Sequence, residues 1–458
     1  MPWMGWQPLP PRKARQAGEG TTGMTIETMA GASITAEAYA QALDAADPIG
    51  RFRDRFYLPP GQIYLDGNSL GLLSHDAERE TLAALEQWRT LAIGGWLGGD
   101  PPWFTLGESL GALTAPLVGA EPEAVVVTGG TTINLHALVA TFYRPAGRRR
   151  RIVATSLDFP SDLYALASQI RLHGGDPATD LVLVPSRDDR TIDEAEIVAA
   201  LTDEVALALL PSVLYRSGQL LDLPRLAAAA RQRGISLGFD CAHSVGAVPH
   251  QFDAWGIDWA FWCSYKYLNA GPGATGGLYV NRRHWGTAPG LAGWWGYEKS
   301  RQFDMAVDWA GAAGAGAWQI GTPSPLATAP LRGSLRLFAE AGIDALRAKS
   351  LAQTSYLIDL LEADGLTAPR FRYGIGTPRQ PERRGGHVAV EHPEGARIAR
   401  ALKARGIVPD FRPPNVVRLA PVPLYTSFHD LWRVGRALRE IVERGDHLRG
   451  ERGRDLVA

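Results

Sequence analysis

From about residue 121 to residue 280, short apolar runs alternate with segments of helical periodicity, and this alternation limits the possible folds more than any other feature. Apolar strands separated by helices of crossover length predict a mostly parallel sheet with helices on both faces. We therefore predict an α/β fold built on a seven-stranded sheet. The predicted strands are 124–128, 151–155, 181–184, 205–210, 236–240, 259–263 and 277–280.

A stretch rich in Gly, Ala and Pro at 310–325 interrupts this pattern. Two long helical patterns and further short strands follow, including one predicted over 407–411, so we predict a smaller C-terminal α/β domain over 321–458. Residues 35–320 are predicted to form an N-terminal segment and the large domain. Residues 1–34 lack periodicity, which is typical of a disordered tail.

Composition narrows the possible partners. The chain has 47 Lys and Arg against 48 Asp and Glu, which gives no electrostatic case for a nucleic-acid or membrane partner. No apolar run reaches the roughly 18 residues that span a bilayer. The cysteines Cys241 and Cys263 lie in apolar runs without metal-ligand spacing. We therefore expect no metal site, no disulfide and a reducing, cytoplasmic location.

Lys266 is one of only five lysines, and it directly follows the apolar run that begins at Trp259. A lysine at the end of a buried strand is costly unless it is paired, neutral or covalently modified. It could extend its amine to solvent, which is the ordinary interpretation of this run taken alone. It could instead form a Schiff base with a carbonyl cofactor.

Three other predicted strands also end in polar residues. The stretch Gly129-Gly130-Thr131-Thr132 opens a helix, whose free N–H groups and hydroxyls could hold a phosphate. Phe159 could stack on a flat ring and Asp162 could contact its substituents. Asp240 could pair with a protonated ring nitrogen, with His243 beside it. Each site could also be an ordinary turn, cap or structural histidine, but their order matches the parts that bind pyridoxal phosphate.

Longer motifs resemble those of the kynureninases, a family of pyridoxal-phosphate enzymes with the fold of aspartate aminotransferase, called fold type I. The resemblance spans about residues 45–440. It implies hydrolysis of L-kynurenine, or also of 3-hydroxykynurenine, to anthranilate and L-alanine, in tryptophan degradation and NAD biosynthesis. The motifs are LDGNSLG at 65–71, TINLH at 132–136, FPSD at 159–162, WCSYKYLNAG at 262–271 and APVPLY at 420–425.

The resemblance also implies residue roles. Lys266 would carry the Schiff base and the adjacent Tyr265 would act as an acid and base. Ser69 and Arg418 would face the substrate, with Arg418 holding the α-carboxylate. A homodimer with shared active sites is implied, because two of the cofactor contacts, Trp294 and Thr322, would come from the neighbouring subunit. The full implied cofactor set is Thr131, Thr132, Phe159, Asp162, Asp240, His243, Tyr265, Lys266, Trp294 and Thr322.

Two positions depart from the family pattern. Pro211, followed by Ser212, stands where some members have a cofactor-contacting serine. Trp96 stands where the animal enzymes have a substrate-facing histidine, which favours the unsubstituted kynurenine. Two alternatives stay open: another fold type I enzyme, such as a cysteine desulfurase-like lyase or an aminotransferase, and a non-catalytic protein that binds pyridoxal phosphate. The first would usually need a mobile catalytic cysteine, whereas both cysteines here lie in predicted strands.

Overall fold

The computed structural model describes residues 33–449, in which helices alternate with short strands. The α-helices are α1 Glu37–Ala45, α2 His75–Leu91, α3 Gly95–Gly98, α4 Leu106–Val118, α5 Thr131–Phe142, α6 Pro160–Leu172, α7 Pro177–Asp180, α8 Glu194–Ala200, α9 Leu223–Gln232, α10 Phe252–Trp255, α11 Pro325–Ala341, α12 Ile343–Ala363, α13 Gly395–Lys403 and α14 Phe428–Glu443. The strands are β1 Ile63–Tyr64, β2 Val125–Val127, β3 Arg151–Thr155, β4 Leu181–Val184, β5 Val205–Pro211, β6 Ser236–Asp240, β7 Trp259–Trp262, β8 Gly277–Val280, β9 Gly374–Ile375, β10 Val388–Glu391, β11 Ile407–Val408, β12 Asp410–Arg412 and β13 Val416–Leu419. The predicted tail at 1–34 lies almost wholly outside the described residues.

The larger sheet has seven strands in the order β2-β8-β7-β6-β5-β3-β4. Strand β8 runs antiparallel to both of its neighbours, and the remaining pairs are parallel. The predicted mostly parallel, seven-stranded sheet is therefore confirmed. Parallel strands end at one edge, so the residues that follow β3, β6 and β7 are brought together there.

Helices cover both faces of this sheet. Along β7, Ala260 and Trp262 pack into the hydrophobic cluster that contains α9 and α11. Trp259 and Phe261 point the opposite way and pack with α5 and α6. All four side chains are buried, which explains why the run around them is uniformly apolar instead of alternating.

A smaller C-terminal domain carries a four-stranded antiparallel sheet in the order β12-β13-β10-β9. The single strand predicted over 407–411 is wrong, because the chain forms two short strands there. Strand β11 pairs in parallel with β1, and β12 pairs with β13. Pro409 separates them, since it has no N–H to donate to a ladder.

Hydrophobic packing crosses the predicted domain boundary at 320/321 in both directions. Ala40 and Ile63, near the start of the described chain, pack into the core of the smaller domain. Leu331 and Phe338 of α11 pack into the core of the larger one. A division by core packing would therefore give α1 and β1 to the small domain and α11 to the large domain.

No helix within residues 33–449 is long and apolar enough to cross a membrane. In the same part of the chain, no group of three or more His, Cys, Asp or Glu side chains is arranged to hold a metal ion.

Candidate active site at the strand ends

The amine of Lys266 contacts His243, and the residue is partly buried. Its Nζ lies 3.1 Å from Nε2 of His243, and 6.0 Å from the centroid of the Phe159 ring. Burial lowers the pKa of His243 well below its usual value, and the nearby Lys266 charge lowers it further. The imidazole is therefore neutral and can accept a hydrogen bond from the lysine amine.

Two carboxyl groups lie within electrostatic range of this lysine: Asp162 is buried and Asp240 is partly buried. Burial raises the pKa of Asp162 well above its usual value, and the charge of Asp240 adds to the effect. The pKa of Asp240 is also raised by burial, but by less than that of Asp162, because Lys266, the Ala242 N–H and a hydrogen bond with Asp162 oppose the rise. The shared proton therefore stays on Asp162, and Asp240 is the carboxylate.

A third carboxyl group, the buried Asp158, lies near Asp162 and Asp240. Burial raises the pKa of Asp158 to about 7, although it accepts hydrogen bonds from the hydroxyl and the N–H of Thr155. Lys266 thus interacts with two of three clustered carboxyl groups. Such a cluster has room for a second cation, and the protonated ring nitrogen of pyridoxal phosphate has the chemistry to provide it.

A phosphate-sized cradle lies at the start of α5. The helix has Gly130 at its N-cap and no side-chain cap, so the N–H groups of its first turn are available to an anion. Gly129 has a φ of +54°, and a Cβ there would lie 2.4 Å from Oδ1 of Asn134. The hydroxyl of Thr132 lies 3.0 Å from that of Ser161. These groups fit a phosphate dianion.

A cavity of about 550 Å³ opens beside Gly129 and Gly130, and Thr322 of the same chain lines it. Tyr265 lies next to Thr131, whose side chain lowers the pKa of the phenol by less than burial raises it. The residues present therefore fit pyridoxal phosphate at both ends: a cradle for the phosphate and a carboxylate for the ring nitrogen.

Arg418 and Ser69 meet at the edge of the small domain. Arg418 is 1% exposed, and its Nη2 donates to the hydroxyl of Ser69 at 3.1 Å. Its Nη1 donates to the backbone oxygen of Tyr215 at 2.8 Å. The loop that carries Ser69 also reaches the lysine loop, since Gly71 N–H donates to the backbone oxygen of Tyr265 at 2.7 Å.

Trp294 lies in a separate surface cluster. Its ring is 48% exposed and packs against the rings of Trp295 and Phe303, with centroids 5.7 and 5.5 Å away. Trp96 joins the same cluster through Trp295, at 5.2 Å. Ser212, which follows Pro211, donates to the backbone oxygen of Asp240 at 2.9 Å and so supports the strand that carries this aspartate.

Several residues at this site were not among the predicted ones. Asp158 lies three residues after the end of β3, and a carboxylate near a strand end is a signal that the sequence contains. The hydroxyl of Ser264 is buried and has no hydrogen-bond partner within residues 33–449; a serine between Cys263 and Tyr265 gives only a weak signal. The contact of Tyr215 with Arg418 depends on how the two domains meet, so no local pattern could predict it.

We expect the Gly71→Ala variant to be less stable by about 1–3 kcal/mol, because the new Cβ would overpack the lysine loop. That Cβ would lie 2.3 Å from Oδ1 of Asn269 and 2.5 Å from the backbone oxygen of Lys266. Urea unfolding measures the change. Gly98→Ala is the matched control, since a Cβ there meets open space and the helix tolerates it. Equal midpoints for the two variants would contradict the expected clash.

Comparison with known proteins identifies the chain. Residues 346–438 match the model of the kynureninase C-terminal domain, and residues 103–254 match the DegT/DnrJ/EryC1/StrS aminotransferase family. A kynureninase from Geobacillus thermodenitrificans is 53% identical over 420 residues, which cover 92% of this chain and 97% of the relative. The chain belongs to the kynureninase family. The predicted resemblance is confirmed along nearly the whole chain.

Further kynureninases give the same result. Those from Bacillus mycoides and Shouchella clausii are 53% and 50% identical, covering 92% and 93% of this chain and 97% and 99% of their own. As a kynureninase, the chain is a hydrolase of carbon–carbon bonds that depends on pyridoxal phosphate and cleaves kynurenine.

More distant solved structures share the fold of this kynureninase. A cysteine desulfurase from Thermococcus onnurineus superposes with a TM-score of 0.73 at 18% identity, covering 86% of this chain and 98% of its own. A variant of C-DES with glycine covalently linked to its PLP cofactor gives 0.71, also at 18% identity and with the same coverage. At this identity the likeness concerns the fold alone, so a desulfurase-like activity is not favoured.

Proposed function

We propose that this kynureninase hydrolyses the Cβ–Cγ bond of L-kynurenine to anthranilate and L-alanine, with its cofactor attached to Lys266. The observation that carries the proposal is the position of the Lys266 amine, 3.1 Å from a neutral His243 and in the electrostatic range of the Asp240 carboxylate. Bound pyridoxal phosphate supplies an electron sink for negative charge that develops on the amino-acid carbons.

The residues at each strand end would then bind one part of the cofactor. Thr131, Thr132 and the first-turn N–H groups of α5 bind the phosphate, together with Tyr265. Asp240 pairs with the ring nitrogen, and the protonated carboxyl of Asp162 donates to Asp240 and keeps it oriented. Phe159, whose ring lies beside the lysine amine, stacks on the ring face, with His243 nearby.

Two residues move protons. When its amine is free, Lys266 takes the proton from the α-carbon of the substrate. Tyr265 is the second acid and base, because it adjoins Lys266 and the phosphate cradle; burial raises the pKa of its phenol and so keeps it in the protonated form. Arg418 holds the α-carboxylate of the substrate, and Ser69 lines the same contact.

The proposal includes a homodimer in which Trp294 reaches the cofactor of the partner subunit, together with Thr322, which lies beside the phosphate cradle of its own subunit. Exposed apolar side chains near Trp294, among them Phe303 and Val307, support an interface on this face. Sedimentation would show a dimer. Mixing the inactive variants Lys266→Ala and Trp294→Ala would restore activity if one dimer contains a site with both native residues, and no recovery would contradict shared sites.

The proposed location is the cytoplasm and the proposed pathway is tryptophan degradation. Both cysteines are free and buried within the described residues, which supports a reducing compartment. Fractionation of cells that express the chain would test the location.

Anthranilate fluorescence during incubation with L-kynurenine tests the activity directly. We expect anthranilate and L-alanine in equal amounts, and slower cleavage of 3-hydroxykynurenine, because Trp96 replaces the substrate-facing histidine of the animal enzymes. Transamination of L-kynurenine without anthranilate, or sulfur release from L-cysteine alone, would contradict the proposal.

A further inference from the structure

Arg418 is held by a second buried side chain, Asp410, to which the proposed function gives no role. The two residues are direct partners across the antiparallel pair β12–β13. Asp410 is 0% exposed and Arg418 is 1% exposed. Oδ2 of Asp410 accepts a hydrogen bond from Nε of Arg418 and forms an ion pair with its Nη2. Arg412 adds a second cation, with its Nε 3.1 Å from the same oxygen.

A guanidinium can donate two parallel hydrogen bonds to a carboxylate from its Nε–Nη2 edge or from its Nη1–Nη2 edge. In Arg418, Asp410 occupies the first edge. The second edge contacts only neutral oxygens, the Ser69 hydroxyl and the Tyr215 backbone carbonyl. After these contacts, one N–H of Nη1 has no acceptor among residues 33–449. The Nη1–Nη2 edge is therefore the one that can receive another carboxylate, which would accept from the free N–H of Nη1 and replace the Ser69 hydroxyl at Nη2.

We propose that Asp410 is a positioning residue, which fixes Arg418 so that its Nη1–Nη2 edge faces the α-carboxylate of the substrate. The proposal rests on the proposed function, in which Arg418 binds that carboxylate. Without Asp410, the guanidinium could rotate about its last side-chain bonds and present either edge. Arg412 forms an ion pair with the same oxygen of Asp410, so a second positive charge lies beside the carboxylate that holds Arg418.

The recognition of a carboxylate is measured by comparing two small ligands of the holoenzyme, L-alanine and L-alaninamide. They differ only in that the amide lacks the carboxylate, and the cofactor absorbance reports the binding of each. We expect Asp410→Asn to reduce the preference for L-alanine by at least about tenfold, because a charge-assisted contact loses its alignment. The affinity for L-alaninamide is expected to change by less than about twofold.

Glu391→Gln is the matched control. Glu391 is also a buried carboxylate of the same sheet and is paired with an arginine, Arg190, that has no part in the proposed site. This variant should keep the native preference for L-alanine. If Asp410→Asn cannot be isolated as a folded holoenzyme, Asp410→Glu replaces it as the test variant. The extra methylene of Glu displaces the carboxylate, so we expect the preference for L-alanine to fall by at least about threefold.

The proposal is overturned if the Asp410 variant that is tested prefers L-alanine over L-alaninamide as strongly as the native enzyme does. It is also overturned if that variant loses affinity for both ligands equally. A native enzyme without any preference for L-alanine would also overturn it, together with the role of Arg418. A native enzyme that prefers L-alanine but releases no anthranilate from L-kynurenine would contradict the proposed reaction alone, and the Asp410 comparison would still decide the positioning role.

Discussion

We expect the Lys266→Ala variant to release anthranilate from L-kynurenine at least about 1,000-fold more slowly than the native enzyme, because it loses both the covalent anchor and the base at the α-carbon. Borohydride reduction followed by peptide mass analysis measures the anchor. The native enzyme should retain the cofactor mass on the peptide that contains Lys266, and the variant should retain none.

Two other lysine substitutions test whether the loss of activity comes from the missing Schiff base at Lys266. Lys266→Arg keeps the positive charge opposite Asp240 but cannot form a Schiff base, so its activity should be as low as that of the alanine variant. Lys299→Arg should stay active, since an arginine can still lie over the ring of Trp295, which the native ammonium approaches to 4.5 Å. Cofactor bound to a different lysine in the Lys266→Ala variant would contradict the assignment.

The second large effect is expected at Asp240. Replacement by Asn should lower kcat by at least about 100-fold, because a neutral amide cannot stabilise a protonated ring nitrogen as a carboxylate does. The neighbouring Asp162→Asn should lower kcat by less than about tenfold, since Asp162 holds the shared proton and an amide also donates to Asp240.

The two variants remove one carboxyl each from the same cluster, so they control for each other. Steady-state kinetics and the absorbance of the bound cofactor measure both, and circular dichroism checks that each variant folds. Equal losses in the two variants would show that the total charge of the cluster matters and that Asp240 has no distinct role. A larger loss for Asp162→Asn would mean that the proton lies on Asp240.

Much of the large sheet could be predicted from local patterns. The strands β3, β4, β6 and β8 have the predicted bounds, because each is a short apolar run between helical segments. Strands end together at one edge of a parallel sheet, so the closeness of Lys266 and His243 follows from the topology. The break at Pro409 could also have been predicted, because a strand interior rarely accepts proline.

The remaining features depend on contacts between distant parts of the chain. The pairing of Asp410 with Arg418 requires the register of two antiparallel strands, which the sequence does not show. The proton on Asp162 depends on burial beside Asp240, 78 positions away. The roles of the individual site residues stay predictions, since the closeness of side chains does not measure their chemistry.

The packing of Ala40, Ile63 and Leu65 against Val417 and Leu438 also has a consequence for how the protein is made. The small domain joins the two ends of the described chain, so a ribosome makes the first part of its core hundreds of residues before the last. The large sheet can assemble during synthesis, whereas the small domain must wait until α14 has been made. A fragment cut at residue 321 would lack part of its own interior, and adding the early segment as a separate peptide should restore its structure.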